Sequence, residues 1–421
     1  MKILLISIGT RGDIEPFLSL AEMFKDDGHE FVGVFPEQFR ELTEAAGIRF
    51  QSLGSEFLDL LDSKAGRLAM GGDGARWRKF GSLVTLARKS MPIQREMTAR
   101  QHQITLEEGP DLILHNGKAT FPILWSLSHP AKAIHISAVP YLVHEVADHP
   151  HIGMGNKSLG SFLNGLTYKL ANFGLIQTIK TTAKWLNLPD KATSANIKRA
   201  LNDETMVYCV SPSLFPRPDY WPDHVHVLGY QERDKVLDWQ PSEALQHFLA
   251  CHDRVLFVTF GSMTNQHPTE KTAMILDILA EQNIPVIMNT SSGGLIEPET
   301  YDREMVHFVN QIPYDWIFEK VNAVVHHGGS GTTHMALRKG CASMIIPHII
   351  DQLLWNDVVA KSGAGPMGQS IGKVKRDRLA KDIHDLWTNP SYKTQAKKIA
   401  ERMKSEDFTE ELRQIIGKAD Q

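Results

Sequence analysis

Short apolar runs alternate with helix-period stretches along this chain, and the alternation starts twice. Lys2 to Ile8 reads as a strand, Pro16 to Asp27 as a helix closed by Gly28, Glu30 to Phe35 as a strand, Pro36 to Ala46 as a helix closed by Gly47, and Ile48 to Leu53 as a strand. This βαβαβ order calls for a parallel sheet with helices on both faces and places ligand sites at the strand C-termini. Asp111 to His115, Lys132 to Ala138, Thr205 to Val210 and Val225 to Leu228 extend the sheet. Gly229 to Ser242 is polar and unpatterned, as a linker would be. The rhythm then restarts with a strand at Arg254 to Phe260, a helix at Pro268 to Glu281, and strands at Ile284 to Asn289 and Met305 to Val309. Two α/β units are expected, residues 1–235 and 236–395, with a cleft between them. The segment Arg376 to Ile416 reads as helical with a break near Asn389-Pro390, and its end, within 396–421, is expected to pack back on the first unit.

Composition removes several functions. The chain has 421 residues, with 45 Lys and Arg against 49 Asp and Glu, so its net charge of −4 gives no basic field for nucleic acid. Cys209, Cys251 and Cys341 are widely spaced and odd in number, which argues against a disulfide framework or a cysteine metal site and points to the reduced cytoplasm. The first apolar run is too short for a signal peptide's core, and no stretch approaches the ~20 residues of a membrane span, so membrane contact would be peripheral. Arg76 to Glu108 reads as amphipathic helix with a solvated basic face, or alternatively as a binder of anionic lipid. His144 to Gly160 has no periodicity and reads as a loop that covers a ligand site. Asn164 to Leu186 is apolar on more than one side, either through burial or because it lines an apolar pocket.

The run His326-His327-Gly328-Gly329-Ser330-Gly331-Thr332-Thr333 lies between the strand-like Asn322 to Val325 and the helix-like Met335 to Arg338. A helix start offers unpaired N–H groups and the positive end of a dipole, and glycine lets an anion approach the backbone. Phosphate is the expected ligand, with His326 or His327 either a further donor to it or merely structural. After the next apolar run, Met344 to Pro347, Asp351-Gln352 supplies acceptor and donor groups suited to sugar hydroxyls. A diphosphate grip with a hydroxyl grip suggests a nucleotide sugar. Gly261-Ser262-Met263 and Ser291-Ser292-Gly293-Gly294 also end strands, and read equally as donor contacts or as simple turns.

Gly9-Thr10-Arg11-Gly12-Asp13-Ile14-Glu15-Pro16 is not the dinucleotide fingerprint, because two residues separate Gly9 from Gly12 and the third glycine is missing. Asp13 has two readings. It caps the first helix, or Pro16 opens that helix, making Glu15 the cap and leaving the Asp13 carboxylate free. A free carboxylate there would take the proton from a hydroxyl attacking a sugar carbon, a contribution of typically ~10²–10⁴-fold. The chain has no Asp-x-Asp pair and no histidine spacing suited to a metal. Trp77, Trp125, Phe173 and Trp185 read as core rather than as an acceptor platform.

These residues resemble the UDP-sugar-dependent glycosyltransferase superfamily, in its branch of sterol glucosyltransferases and bacterial antibiotic glycosyltransferases. The resemblance runs over most of the chain and is carried by Gly9 to Pro16, Phe260 to Met263, Pro313 to Phe318, and His326 through Asp351-Gln352. It implies a GT-B fold, α/β in class, with two Rossmann-like domains facing a cleft. It further implies inverting, metal-independent transfer of a hexose, glucose first among them, from a UDP-sugar held by the C-terminal domain. The acceptor would be an apolar hydroxylated molecule of sterol, polyketide, carotenoid or flavonoid type, held by the N-terminal domain. By position, Asp13 is then the base, His326 meets the diphosphate, and Gly328, Ser330, Gly331 and Thr332 form the phosphate loop. Asp351 and Gln352 bind sugar hydroxyls, Gly12, Ser262 and Met263 adjoin the donor, and Val309 to Pro313, with Gln311, read the nucleobase. No cofactor or metal is implied beyond the UDP-sugar.

The chain departs from its relatives at Ser291-Ser292, where Gly-Trp is frequent, at Tyr314, where histidine is frequent, and at Asn116, near an aspartate that pairs with the plant enzymes' histidine. Two other functions stay open: a UDP-sugar epimerase of the same architecture, and an inert nucleotide-sugar-binding partner of another transferase. The acceptor pocket falls to Phe57 to Trp77 and His144 to Leu186.

Overall fold

The computed structural model describes residues 1–63, 76–140, 143–154, 157–188, 190–233, 239–265 and 267–418. Part of the expected linker, 234–238, and part of the expected acceptor segment, 64–75, lie outside these residues, as does the side chain of Trp77. The chain forms two compact units. The first comprises Met1–Gly66, Phe80–Asp234 and Asp407–Gln421, and the second is built on Lys235–Glu406.

Each unit is a parallel sheet. In the first, β1 (Lys2–Ile6), β2 (Glu30–Phe35), β3 (Arg49–Ser52), β4 (Leu112–His115), β5 (Ala133–Ser137), β6 (Thr205–Tyr208) and β7 (Val225–Val227) run in the order β3-β2-β1-β4-β5-β6-β7. In the second, β8 (Leu256–Thr259), β9 (Val286–Asn289), β10 (Val306–Val309), β11 (Ala323–His326) and β12 (Ala342–Ile345) run in the order β10-β9-β8-β11-β12. All neighbouring pairs are parallel. In both sheets the chain winds outward from its first strand, returns, and winds the other way. The reversal lies between β1 and β4 in one sheet and between β8 and β11 in the other, and the crevice beyond such a reversal is where open α/β sheets bind ligands.

The core of the first unit joins Ile3, Leu5, Phe17 and Phe35 to Leu412 and Ile416 of the last helix, Thr409–Lys418. Arg413 pins that helix, its Nε 2.7 Å from Asp27 Oδ2. The second core gathers Leu256, Val286, Val325 and Met344 with Ile383 and Leu386 of the helix Arg376–Thr388. Asn389 ends that helix and caps the next, Pro390–Lys404, accepting the Ser391 N–H at 3.1 Å while Pro390 opens the new turn.

Of the readings left open, two are ruled out. The first helix runs Arg11–Met23, with Thr10 as its N-cap and Pro16 inside it, so Glu15 is not the cap. Thr10 has the extended backbone a cap requires, and a proline in the second turn forfeits one helical hydrogen bond. The helix expected from Asn164 runs Ser161–Trp185 and is not simply buried: Tyr168, Ile179 and Ala183 face the core, whereas Phe173 is 63% exposed. Among the described residues no helix is long and apolar enough to cross a membrane.

Candidate active site

The second unit brings most of the expected donor residues together. His326 ends β11 fully buried, and its Nδ1 accepts the Gly328 N–H at 3.1 Å. A neutral imidazole bonded this way carries its proton on Nε2, which has no hydrogen-bond partner among the described residues. Burial first, then neighbouring His327, lowers the His326 pKa to about 3, so it is a neutral donor. Gly328 has φ +93°, and a Cβ there would stand 2.5 Å from Ile345 Cγ2. The helix that follows, Ser330–Arg338, has Gly329 as its N-cap and no side-chain cap, so the N–H groups of Ser330, Gly331 and Thr332 have no acceptor within the helix. His334 is buried in that helix and its Nδ1 is 2.8 Å from the Ser330 carbonyl.

The loop after β12 closes on the same place. Gln352 is buried at the third position of the helix Ile350–Lys361, and its Oε1 accepts the backbone N–H groups of His348 (2.7 Å) and Ile349 (3.2 Å). Its oxygen is therefore engaged in capping, and the amide NH₂ takes no part in that cap. Asp351 lies half-buried in the first turn. His348 is 8% exposed and lies against Phe260, with ring centroids 4.8 Å apart. Its Nδ1 lies 2.9 Å from the Ile346 carbonyl, which can only accept, so Nδ1 holds the proton and Nε2 is a bare lone pair without a partner among the described residues. Burial, then His327, holds this imidazole down to about 3. His326 and His348 thus present opposite tautomers: one donates through Nε2, the other accepts.

Other expected donor residues fare differently. Ser262 is exposed on the turn after β8, whereas Met263 is buried and packs in the core, leaving only its backbone for a ligand. Gly261, at φ +55°, lies against the His327 ring, which ties this turn to the phosphate loop. The β9 loop holds Ser291 at φ +40°, a strained value of the kind that gathers at ligand sites. Val309 ends the edge strand β10 with its carbonyl accepting the Thr290 N–H at 2.9 Å, and Gln311 is exposed beyond it. Tyr314 hydroxyl is 2.8 Å from Thr259 Oγ1 at the end of β8.

In the first unit the reversal point is charged. Asp13, the third residue of its helix, accepts the Thr10 N–H on Oδ2 at 2.8 Å, and its Oδ1 lies 2.8 Å from Lys118 Nζ. Capping and orientation are thus combined in one carboxylate, which keeps 27% of its side chain exposed. Gly9, at φ +140°, makes room: a Cβ there would collide with Asp13 Oδ2 and come within 2.7 Å of Lys118 Nζ. Asn116 fastens the two loops, its Nδ2 donating to the Ile8 carbonyl at 2.8 Å and its Oδ1 accepting the Lys118 N–H at 3.2 Å. Gly12 is exposed in the same helical turn, with open space where a Cβ would go. Among the described residues no group of three or more His, Cys, Asp or Glu is placed to hold a metal ion.

Residues 3–118 match the glycosyltransferase family 28 N-terminal domain, and residues 277–418 match the C-terminal domain of erythromycin biosynthesis protein CIII-like proteins. The fold is that of the calicheamicin glycosyltransferase CalG4, with TM-score 0.70 at 15% identity over 99% of this chain and 98% of that one. The fold is GT-B. A sterol 3-beta-glucosyltransferase of Arabidopsis thaliana is 28% identical over 97% of this chain, which spans 66% of the plant enzyme's length. The O-mycaminosyltylonolide 6-deoxyallosyltransferase of Streptomyces fradiae is 26% identical, with 96% of this chain and 94% of that one covered. The SsfS6 glycosyltransferase of Streptomyces sp. SF2575, solved with thymidine diphosphate, aligns at TM-score 0.62 and 17% identity over 98% of this chain and 99% of that one.

Two residues of these sites, Lys118 and His348, were not among those expected from the sequence. Lys118 lies 105 positions from Asp13, and only the β1–β4 adjacency brings them together. His348 carried a signal, a histidine just after an apolar run and three residues before Asp351.

Proposed function

We propose that this glycosyltransferase moves a hexose, glucose in the first instance, from UDP to a hydroxyl of an apolar acceptor of sterol or natural-product type, with inversion and without a metal. The observation that carries the reading is that each reversal point offers half of such a reaction. On one side is an oriented carboxylate, on the other a buried neutral N–H donor at an uncapped helix start. In this reading the His326 Nε2–H and the first-turn N–H groups hold the diphosphate as it departs. Asp351, the Gln352 amide and the His348 Nε2 meet sugar hydroxyls, and Val309 to Gln311 adjoin the nucleobase. Asp13 takes the acceptor's proton, held in place by Thr10 and Lys118. Oδ2 takes both the Thr10 N–H (2.8 Å) and the Thr10 hydroxyl (3.4 Å), whereas Oδ1 keeps a lone-pair site beyond the Lys118 ammonium, so proton transfer does not require the ion pair to break.

The test is an incubation with UDP- and TDP-sugars, with and without a panel of apolar hydroxylated acceptors. UDP release that depends on acceptor, with a glycoside of inverted anomeric configuration, is expected. A new UDP-sugar formed without acceptor would instead establish an epimerase. Tight donor binding without turnover on any acceptor would leave an inert binding partner.

A further inference from the structure

The helix Ser161–Trp185, within the stretch expected to shape the acceptor pocket, exposes an apolar face to which the proposed reaction assigns no residue. Phe162 is 83% exposed, Phe173 63%, Leu170 54%, Leu163 47% and Leu166 44%. At about 100° per residue these five side chains share roughly one third of the helix circumference along about 18 Å, opposite the face that carries buried Tyr168 and Ile179. Leu159, just before the helix, is also exposed. Monomeric proteins seldom leave such a contiguous patch in water.

Charge says what covers it. Between Asp148 and Asp190 the sequence contains no Asp or Glu, although the chain average of 49 in 421 would place about five there. The same stretch carries Lys157, Lys169, Lys180 and Lys184, a local excess of positive charge in a chain whose net charge is −4. Lys157, Lys169 and Lys184 are exposed, and Lys169 lies at the margin of the apolar face. The carboxylate nearest in sequence with a contact to the helix, Glu145, lies against buried Gly165 and not on the outward face. Leucine and phenylalanine flanked by lysines, on a helix with no carboxylate of its own, match an anionic lipid surface, whose acyl boundary takes the apolar side chains and whose headgroups attract the ammoniums.

We propose that the outward face of the helix Ser161–Trp185, from Phe162 to Phe173, docks this protein on an anionic bilayer, with the helix lying in the interface. The proposal does not depend on the transfer reading, although a bilayer is where an apolar acceptor would reside.

The experiment is co-sedimentation of the full chain, without donor or acceptor, with vesicles of phosphatidylcholine alone or containing about one third phosphatidylglycerol. Wild type is expected to bind the anionic vesicles at least ~10-fold more tightly than the neutral ones, and less so as salt rises. The triple variant Phe162→Asp, Leu166→Asp, Phe173→Asp is expected to lose at least ~10-fold in vesicle affinity while keeping the wild-type melting temperature, since the replaced side chains are exposed. Lys169→Gln should weaken only the binding to anionic vesicles. Absence of wild-type binding would overturn the proposal, as would vesicle binding unchanged in the triple variant. A concentration-dependent dimer lost in that variant, with no vesicle binding in either protein, would assign the face to a second copy of the chain instead.

Discussion

The two reversal points hold their polar groups in opposite ways. In the first unit Asp13 and Lys118 form an ion pair with 27% and 52% of their side chains exposed. In the second, His326, His327 and His348 are 0%, 6% and 8% exposed, and burial holds them neutral with pKa values of about 3, 4 and 3. A buried charge without a partner is costly, so under the proposed function the diphosphate would meet the neutral His326 N–H and a helix dipole that are ready before the anion arrives. A base that must exchange protons with an incoming hydroxyl has the opposite need and keeps contact with water. In the proposed function the second unit would therefore depend on shape and burial, and the first on one oriented charge.

The largest effect short of the base itself should come from filling the donor side. Gly328→Val adds a side chain where a Cβ is already 2.5 Å from Ile345 Cγ2, in a backbone region that L residues avoid. UDP affinity measured by calorimetry should fall at least ~100-fold, the equivalent of about 3 kcal/mol. Gly12→Ala, where a Cβ meets nothing, should keep or raise the melting temperature. An unchanged UDP affinity in the Gly328 variant would remove the phosphate loop from the account.

Next in size is the loss of single imidazoles. His326→Phe should weaken UDP itself by about tenfold, one neutral hydrogen bond's worth. His348→Phe keeps an aromatic ring against Phe260 but removes the Nε2 acceptor, so it should weaken UDP-sugar and spare UDP. Equal losses for both ligands in the His348 variant would contradict its assignment to the sugar.

Acidification should tell the two sides apart. His326, His327, His334 and His348 have pKa values of about 3 to 4 when folded, below the unfolded value near 6.5, so the unfolded chain binds more protons across that interval. The stability they contribute is fully present above pH 6.5 and is lost as pH falls towards 4. Thermal melts of the full chain should therefore drop between about pH 6.5 and 4.5, and His334→Asn, which keeps a donor near the Ser330 carbonyl, should flatten that drop. A melting temperature that rises on acidification would show these imidazoles to be charged in the fold.

The smallest effect should be structural loss at the exposed pair. Lys118→Gln should cost under about 1 kcal/mol of stability, because exposed ion pairs contribute little. It should lower kcat several-fold without changing UDP-sugar affinity, and Lys118→Arg should restore much of the rate. Loss of donor affinity in Lys118→Gln would mean that the lysine serves the donor rather than Asp13.

Much of the fold was legible because period and spacing are local. β2 and the helix Pro268–Glu281 match the expected bounds, and the other strands differ from them by one or two residues at one or both ends. The phosphate loop was legible for the same reason, as glycines at a strand-to-helix turn. Pro16 misled because proline tolerates the early part of a helix, and the cap was set instead by Thr10 and the Asp13 carboxylate. The Asp13–Lys118 pair was out of reach, since it depends on β1 lying beside β4. The engagement of the Gln352 oxygen as a cap, and the outward turn of Phe173, depend on which way side chains face. A helix that is apolar on every side does not say which side is the core.

The central claim is that one carboxylate does chemistry that the donor side does not share. Asp13→Asn keeps an acceptor for the Thr10 N–H and removes the base, so kcat should fall at least ~100-fold while UDP-sugar affinity stays within about threefold of wild type. Transfer at a near-normal rate by that variant, with any suitable donor and acceptor, would contradict the account.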